Sequence, residues 1–195
     1  TLIKNNLSLI DIKFDKFKYE NEIVSNKLID QLFNILNKKQ LIYEGTLDKP
    51  KGLEDPDWEP RKQLLFKSSS IYDDTDRPLK NSKNEWTYFA NDSAYHFDKH
   101  LRKYDKLINV WGADHIGYIP RMKSILFSLS ENKDYFEVIT CQIVRLIKNN
   151  KILKMSKREG NFVTLEEVYK SVGTDALRYF MISTRSETSM DFDMD

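Results

Sequence analysis

Cysteine is almost absent. Cys141 stands alone, so no internal disulfide can form, and the chain suits a reducing, cytoplasmic setting. Long apolar runs are missing too. Nothing approaches the ~20 residues of a membrane-spanning helix and no signal peptide is visible, so no membrane partner is expected. Neither sign of charge dominates: 31 Lys and Arg face 30 Asp and Glu, a net +1. That balance does not advertise a nucleic-acid binder, although a local basic patch can sit on a neutral chain. There is no internal repeat and no low-complexity linker. What remains is 40% hydrophobic over 195 residues, enough for one good core or a modest two-part body. Thr1 is not a natural initiator and Met190–Asp195 has no terminating logic, so a fragment of something longer is expected.

Residues 1–20 alternate apolar positions around Leu7, Leu9, Ile12, Phe14 and Phe17, which predicts short strands or extended segments. From Asn21 to Lys39, the spacing of Ile23, Leu28, Leu32, Phe33, Ile35 and Leu36 predicts an amphipathic helix. Leu41–Gly45 reads as a strand ending at glycine. Residues 48–61 hold three of the five prolines and five acidic residues around Trp58, the composition of a loop. Leu64–Phe66 reads as a short strand. The acidic run Asp73, Asp74 and Asp76 lacks the ligand spacing of a calcium loop, so a capped or solvated turn is preferred to a metal site. A hairpin across Asn81–Asn84 would place Trp86–Tyr88 in a strand, with Asn91 or Asp92 opening the next helix.

Leu107–Trp111 reads as a strand closed by Gly112 and followed by a helix from about Ile116 to Leu129, a β-to-α step of an α/β sheet. Phe136–Thr140 is a second strand. Cys141 falls at its edge and is expected to be buried and not catalytic. Ile143–Ile147 and Ile152–Leu153 form a hairpin around Asn149-Asn150. Thr164 and Thr174 each cap a short helix beyond it.

Three clusters carry chemistry. Lys154-Met155-Ser156-Lys157-Arg158 is a basic loop that could close over polyphosphate and neutralise charge developing on its oxygens. By composition alone it also fits a solvated turn. Asp114 and His115 sit past Gly112 at a strand's C-terminal end, where open α/β sheets bind ligands. Asp114 could accept from ribose hydroxyls, or it could simply cap a helix beside a surface histidine. Tyr88 and Asp92 are four apart, so a helix starting near Tyr88 puts both on one face. Carboxylate beside phenol is a receptor for a guanidinium, which it grips in two parallel hydrogen bonds. A capping Asp92 beside a core Tyr88 is the structural alternative. His96 and His100 are also four apart, but no third ligand is near, and no metal site is expected.

The order of these segments, ending in Gly173-Thr174-Asp175-Ala176-Leu177-Arg178, resembles the bacterial arginyl-tRNA synthetases across nearly the whole chain. The resemblance is loosest over the first 40 residues. It implies an α/β chain: the C-terminal half of a class I synthetase Rossmann-like nucleotide-binding fold, with a β-rich insertion and helical C-terminal elements. Residues 1–85 would be the mixed helix and strand insertion, 86–153 the Rossmann half, and 154–195 the Lys-Met-Ser-Lys loop and its helices. The implied activity is ATP-dependent activation of L-arginine to arginyl-adenylate, then transfer to the 3′ end of tRNA(Arg).

By residue match, Tyr88, Asp92 and His115 would bind arginine. Lys154, Met155, Ser156, Lys157, Asp114 and His115 would bind ATP, with Lys154 and Lys157 catalytic. Magnesium is implied with ATP, without a dedicated protein ligand, and a monomeric full-length enzyme is expected. The His-x-Gly-His element of class I synthetases is absent, as is the anticodon-binding domain. Little or no ligase activity is therefore expected of this piece alone, and a synthetase-like module that binds nucleotide or RNA without catalysis is the alternative. A cysteine-specific class I enzyme would carry zinc-binding cysteines, which one cysteine cannot supply.

Overall fold

The computed structural model describes residues 2–25, 27–49, 60–153 and 163–195. Two compact units form: one from residues 18–109 and 117–138, the other from residues 1–17, 110–116 and 139–195.

In the first unit, the single helix expected over Asn21–Lys39 is two, α2 (Glu20–Ser25) and α3 (Leu28–Lys38). Lys27 takes a left-handed backbone (φ 51), which a right-handed helix cannot continue through. Leu28, Leu32 and Leu36 then fall at four-residue spacing and are all buried. Each such side chain contributes ~1.5–3 kcal/mol over leaving it in water. They face α4 (Tyr88–Leu101), which buries Phe89, Ala90, Ala94 and Phe97. Strands β1 (Ile42–Gly45), β2 (Gln63–Phe66) and β3 (Arg77–Pro78) form an antiparallel sheet, and the Phe66 ring lies 6.2 Å from Phe89. The acidic run before β3 closes on Arg77, which donates to both oxygens of Asp73 at 2.7 Å and to Asp74 at 2.8 Å. Asp76 instead accepts from Ser69 and Tyr43. Trp58 and the loop around it lie outside the described residues.

Trp86–Tyr88 is not a strand. Trp86 makes a single bridge to Lys80, and Thr87 caps α4 by accepting from the Ala90 N–H at 3.2 Å. The Thr87 hydroxyl also donates to the Pro78 carbonyl, tying the cap to β3. Helix α4 therefore begins at Tyr88, earlier than Asn91 or Asp92. Beyond it come β4 (Leu107–Gly112), a 3-10 turn (Ala113–Tyr118), α5 (Ile119–Ser130) and β5 (Phe136–Cys141), with β5 beside β4. Both strands contribute residues to both units. Cys141 is only half-buried.

In the second unit, residues 2–9 are a helix, α1 (Leu2–Leu9), and not extended. The alternation of Leu7 and Leu9 mimics a strand, but the half-buried Leu7 and buried Ile10 lie one helical turn apart. The carbonyls at the end of α1 are taken from outside: Thr174 donates to Leu9 at 2.8 Å and Arg178 to Ile10 at 2.9 Å. The Thr174 hydroxyl thus spends its proton on α1. Strands β6 (Val144–Lys148) and β7 (Lys151–Ile152) make the expected hairpin, with Asn149 and Asn150 both left-handed (φ 51 and 56) as a tight two-residue turn requires. Strand β8 (Met190–Asp193) adds in parallel to β6.

Helix α6 (Leu165–Ser183) opens on a full capping box between Thr164 and Glu167. It bends at Gly173 (φ 79, ψ 169), the break between the two short helices the sequence predicts. The core gathers Ile10, Leu146, Val168, Leu177, Phe192 and Met194. A Cβ at Gly173 would meet nothing within 4 Å, so only the backbone demands glycine there. Gly173→Ala should cost about 1–3 kcal/mol of stability in urea unfolding. A loss below about 0.5 kcal/mol would mean the bend is soft.

Candidate active site

Helix α4 presents Tyr88, Asn91, Asp92 and Tyr95 to one side of a cavity of about 230 Å³. The segment entering α2 supplies the other side with Lys18, Tyr19, Glu20 and Ile23. Tyr88 and Asp92, four apart, share this wall as their spacing predicts, because Thr87 starts the helix just ahead of them. Tyr88 is 75% exposed, so it is a rim residue and not core. Its ring meets Tyr118 edge-on at 6.3 Å. Burial, with the Asp92 charge beside it, pushes the Tyr118 phenol well above its ordinary range, so it stays protonated.

Among the described residues, two carboxylates face the cavity, Asp92 and Glu20, with one cation, Lys18, among its lining side chains. That cation is already engaged: the Lys18 ammonium lies 2.9 Å from Glu22 and 3.1 Å from Asp98. Asp98 is held in turn by Arg102 at 2.6 Å. The cavity is therefore acidic, rimmed by phenols, and suited to a flat organic cation. Glu20 was not singled out in the sequence. It opens an amphipathic stretch, and no local signal says that this stretch packs on α4.

Asp114 and His115 lie together in the 3-10 turn after β4, their side chains 3.5 Å apart and largely exposed. A Cβ at Gly112 would come within 2.4 Å of the Asp114 carboxylate, so glycine leaves room for that side chain to fold back over the strand end. The Trp111 ring lies 6.4 Å from His115. Asp114 and His115 belong to one unit, Tyr88 and Asp92 to the other. Lys154, Met155, Ser156 and Lys157 lie outside the described residues. His96 and His100 do not share a ligand: His96 Nε2 faces Asn109 at 2.6 Å and His100 Nδ1 faces Tyr135 Oη at 3.2 Å.

The sequence model of the class I tRNA synthetases for Ile, Leu, Met and Val matches residues 85–195, more than half of the chain. The chain belongs to the class I tRNA synthetases. The mixed α/β class I fold expected from the sequence is the one found. Over 194 residues, all of this chain, it is 45% identical to the arginine–tRNA ligase of Ruegeria sp. (strain TM1040). It is 46% identical over 192 residues to that of Pelagibacter ubique (strain HTCC1062), covering 98% of this chain. The chain spans 33% of the length of each of these relatives. A Campylobacter jejuni structure, provisionally called an arginyl-tRNA synthetase, superposes with a TM-score of 0.80 at 34% identity, covering 99% of this chain and 38% of that one. Thermus thermophilus arginyl-tRNA synthetase shares the fold at a TM-score of 0.72 and 15% identity, covering 97% of this chain and 39% of that one. The similarity to the arginine enzymes thus runs over nearly the whole of this chain.

Proposed function

We propose that this chain is the part of an arginine–tRNA ligase that selects arginine and handles ATP. The observation that carries the reading is the acidic cavity, with Asp92 and Glu20 facing it and its own lysine neutralised. A guanidinium placed there donates to Asp92 in two parallel bonds, meets Glu20 across the cavity and stacks among the phenols of Tyr88 and Tyr95. His115 would contact arginine or the adenosine ribose, and Asp114 would accept from ribose hydroxyls. Lys154, Met155, Ser156 and Lys157 would hold the ATP phosphates and adenosine.

The reaction needs no protein nucleophile. The arginine carboxylate attacks the α-phosphate, a new P–O bond forms, and pyrophosphate leaves with the bond that breaks. A 3′-terminal hydroxyl of tRNA(Arg) then attacks the arginyl carbonyl, an ester bond forms, and AMP leaves as the acyl–phosphate bond breaks. Positioning and charge stabilisation supply the catalysis. Among the described residues no three metal-ligating side chains stand together, and the Asp73–Asp76 carboxylates are occupied by Arg77, Ser69 and Tyr43. A magnesium ion would enter on the phosphates of ATP.

Citrulline tests the reading, because it has arginine's shape without the charge. In ATP–pyrophosphate exchange by the full-length protein, arginine should be preferred by more than about 10³ in kcat/KM. Comparable exchange with citrulline would show that the cavity does not read charge.

A further inference from the structure

Behind Asp92 runs a buried chain of polar side chains that the reaction itself does not use. We propose that His96, locked as a neutral ring by Asn109 and Lys99, is a positioning residue that holds the helix turn carrying Asp92 without placing a rival cation against its carboxylate. The inference rests on the arginine-pocket reading of the cavity.

Asp92, His96 and Lys99 follow each other at helical spacing along α4. His96 is buried to 1% exposure, with its ring edge-on to Phe136 at 5.8 Å. Its Nδ1 is 2.8 Å from the Asp92 carbonyl and 3.4 Å from the Asp92 carboxylate. Its Nε2 is 2.6 Å from the side-chain nitrogen of Asn109, itself 5% exposed within β4. Lys99 Nζ donates to the Asn109 side-chain oxygen at 2.9 Å.

Donor and acceptor rules fix every proton in this chain. An ammonium only donates, so the amide oxygen of Asn109 must face Lys99. The amide nitrogen must then face His96, and it only donates, so Nε2 must be bare. The ring proton therefore sits on Nδ1 and is given to the Asp92 carbonyl. Burial pushes Lys99 down to about 8, against the pull of Asp92, so near neutral pH it remains a donor. The outcome matters for the cavity. A doubly protonated ring would be a cation 3.4 Å from the Asp92 carboxylate, an internal rival for the substrate's guanidinium. A neutral ring anchors the helix turn that carries Asp92 and adds no further cation beside a carboxylate that already attracts Lys99 and holds the Tyr118 phenol.

Asn109→Asp in the full-length protein is the direct test. A carboxylate at Nε2 draws a second proton onto His96 while keeping the side chain's volume and its bond to Lys99. The KM for arginine should rise about 10- to 100-fold with the KM for ATP within about twofold. The nitrogen chemical shifts of His96 should report an Nδ1–H neutral ring in the wild type and an imidazolium in Asn109→Asp. His96→Phe, which keeps the ring packing without a donor, should raise the arginine KM similarly. His96→Asn, whose amide nitrogen falls near the lost Nδ1, should recover most of it.

An imidazolium or an Nε2–H ring in the wild type at pH 7 would overturn the proposal, whatever the variants do. So would an imidazolium in Asn109→Asp with unchanged arginine KM, or a parallel rise in both KM values. If instead the pocket reading fails, the wild type will not distinguish arginine from citrulline. If only this inference fails, that discrimination survives.

Discussion

Asp92→Ala should raise the KM for arginine by more than about 100-fold in ATP–pyrophosphate exchange, with the KM for ATP within about twofold. Truncating one partner of a desolvated, hydrogen-bonded charge pair costs about 2–5 kcal/mol, much of it from the cation left without its counter-charge. Asp92 keeps 20% of its side-chain surface, so it is reachable yet well shielded, the condition under which such a pair is strong. Glu20 would still offer one carboxylate, which limits the loss and gives the comparison its sign. Asp92→Asn keeps the shape and removes the charge, so it should resemble Asp92→Ala if charge is what the cavity reads. The fold should survive both changes, because the buried bond from His96 goes to the Asp92 carbonyl, which every substitution keeps. An arginine KM that does not move would remove Asp92 from the pocket.

The same helix shows what the sequence could and could not say. Residue spacing put Tyr88 and Asp92 on one face, which required only that a helix begin near Tyr88. The true boundary depended on Thr87, whose hydroxyl both caps α4 and reaches Pro78 nine residues back. A capping threonine after an aromatic residue reads as strand when its distant acceptor is unknown. Glu20 was illegible for a stronger reason. Its role depends on α2 packing against α4 across some seventy residues of sequence, and no local pattern encodes that contact. For His96 and His100 the sequence offered only their helical spacing, which without a third ligand points to no metal. The burial that gives His96 to Asn109 comes from β4. Features with purely local causes fared better: the Asn149-Asn150 turn, the break at Gly173 and the strands around Leu65 and Phe136 are all where the sequence puts them. Residues 1–20 failed for lack of local cause, since α1 is fixed at its end by Thr174 and Arg178.

Lys157→Ala should slow formation of the adenylate by about 10²–10³ while weakening ATP binding by less than about tenfold. Lys157 lies outside the described residues, between Leu153 and Val163. Leu153 leaves the β6–β7 hairpin with its N–H bonded to the Leu146 carbonyl at 2.8 Å, and Val163 leads into the capping box of α6. Both side chains pack against the same core, around Leu146, Val168 and Phe192. The two described residues that flank the Lys-Met-Ser-Lys sequence thus pack on one core. A lysine that meets triphosphate contributes little while the phosphate charge is still spread and screened by solvent. It contributes most when negative charge gathers on the departing pyrophosphate, since interactions stronger in the transition state than in the ground state are the ones that accelerate. Single-turnover rates at saturating ATP separate the two effects. If ATP affinity and adenylation rate fall by the same factor, Lys157 binds ATP without favouring its transition state, and the basic segment is a docking site for ATP alone.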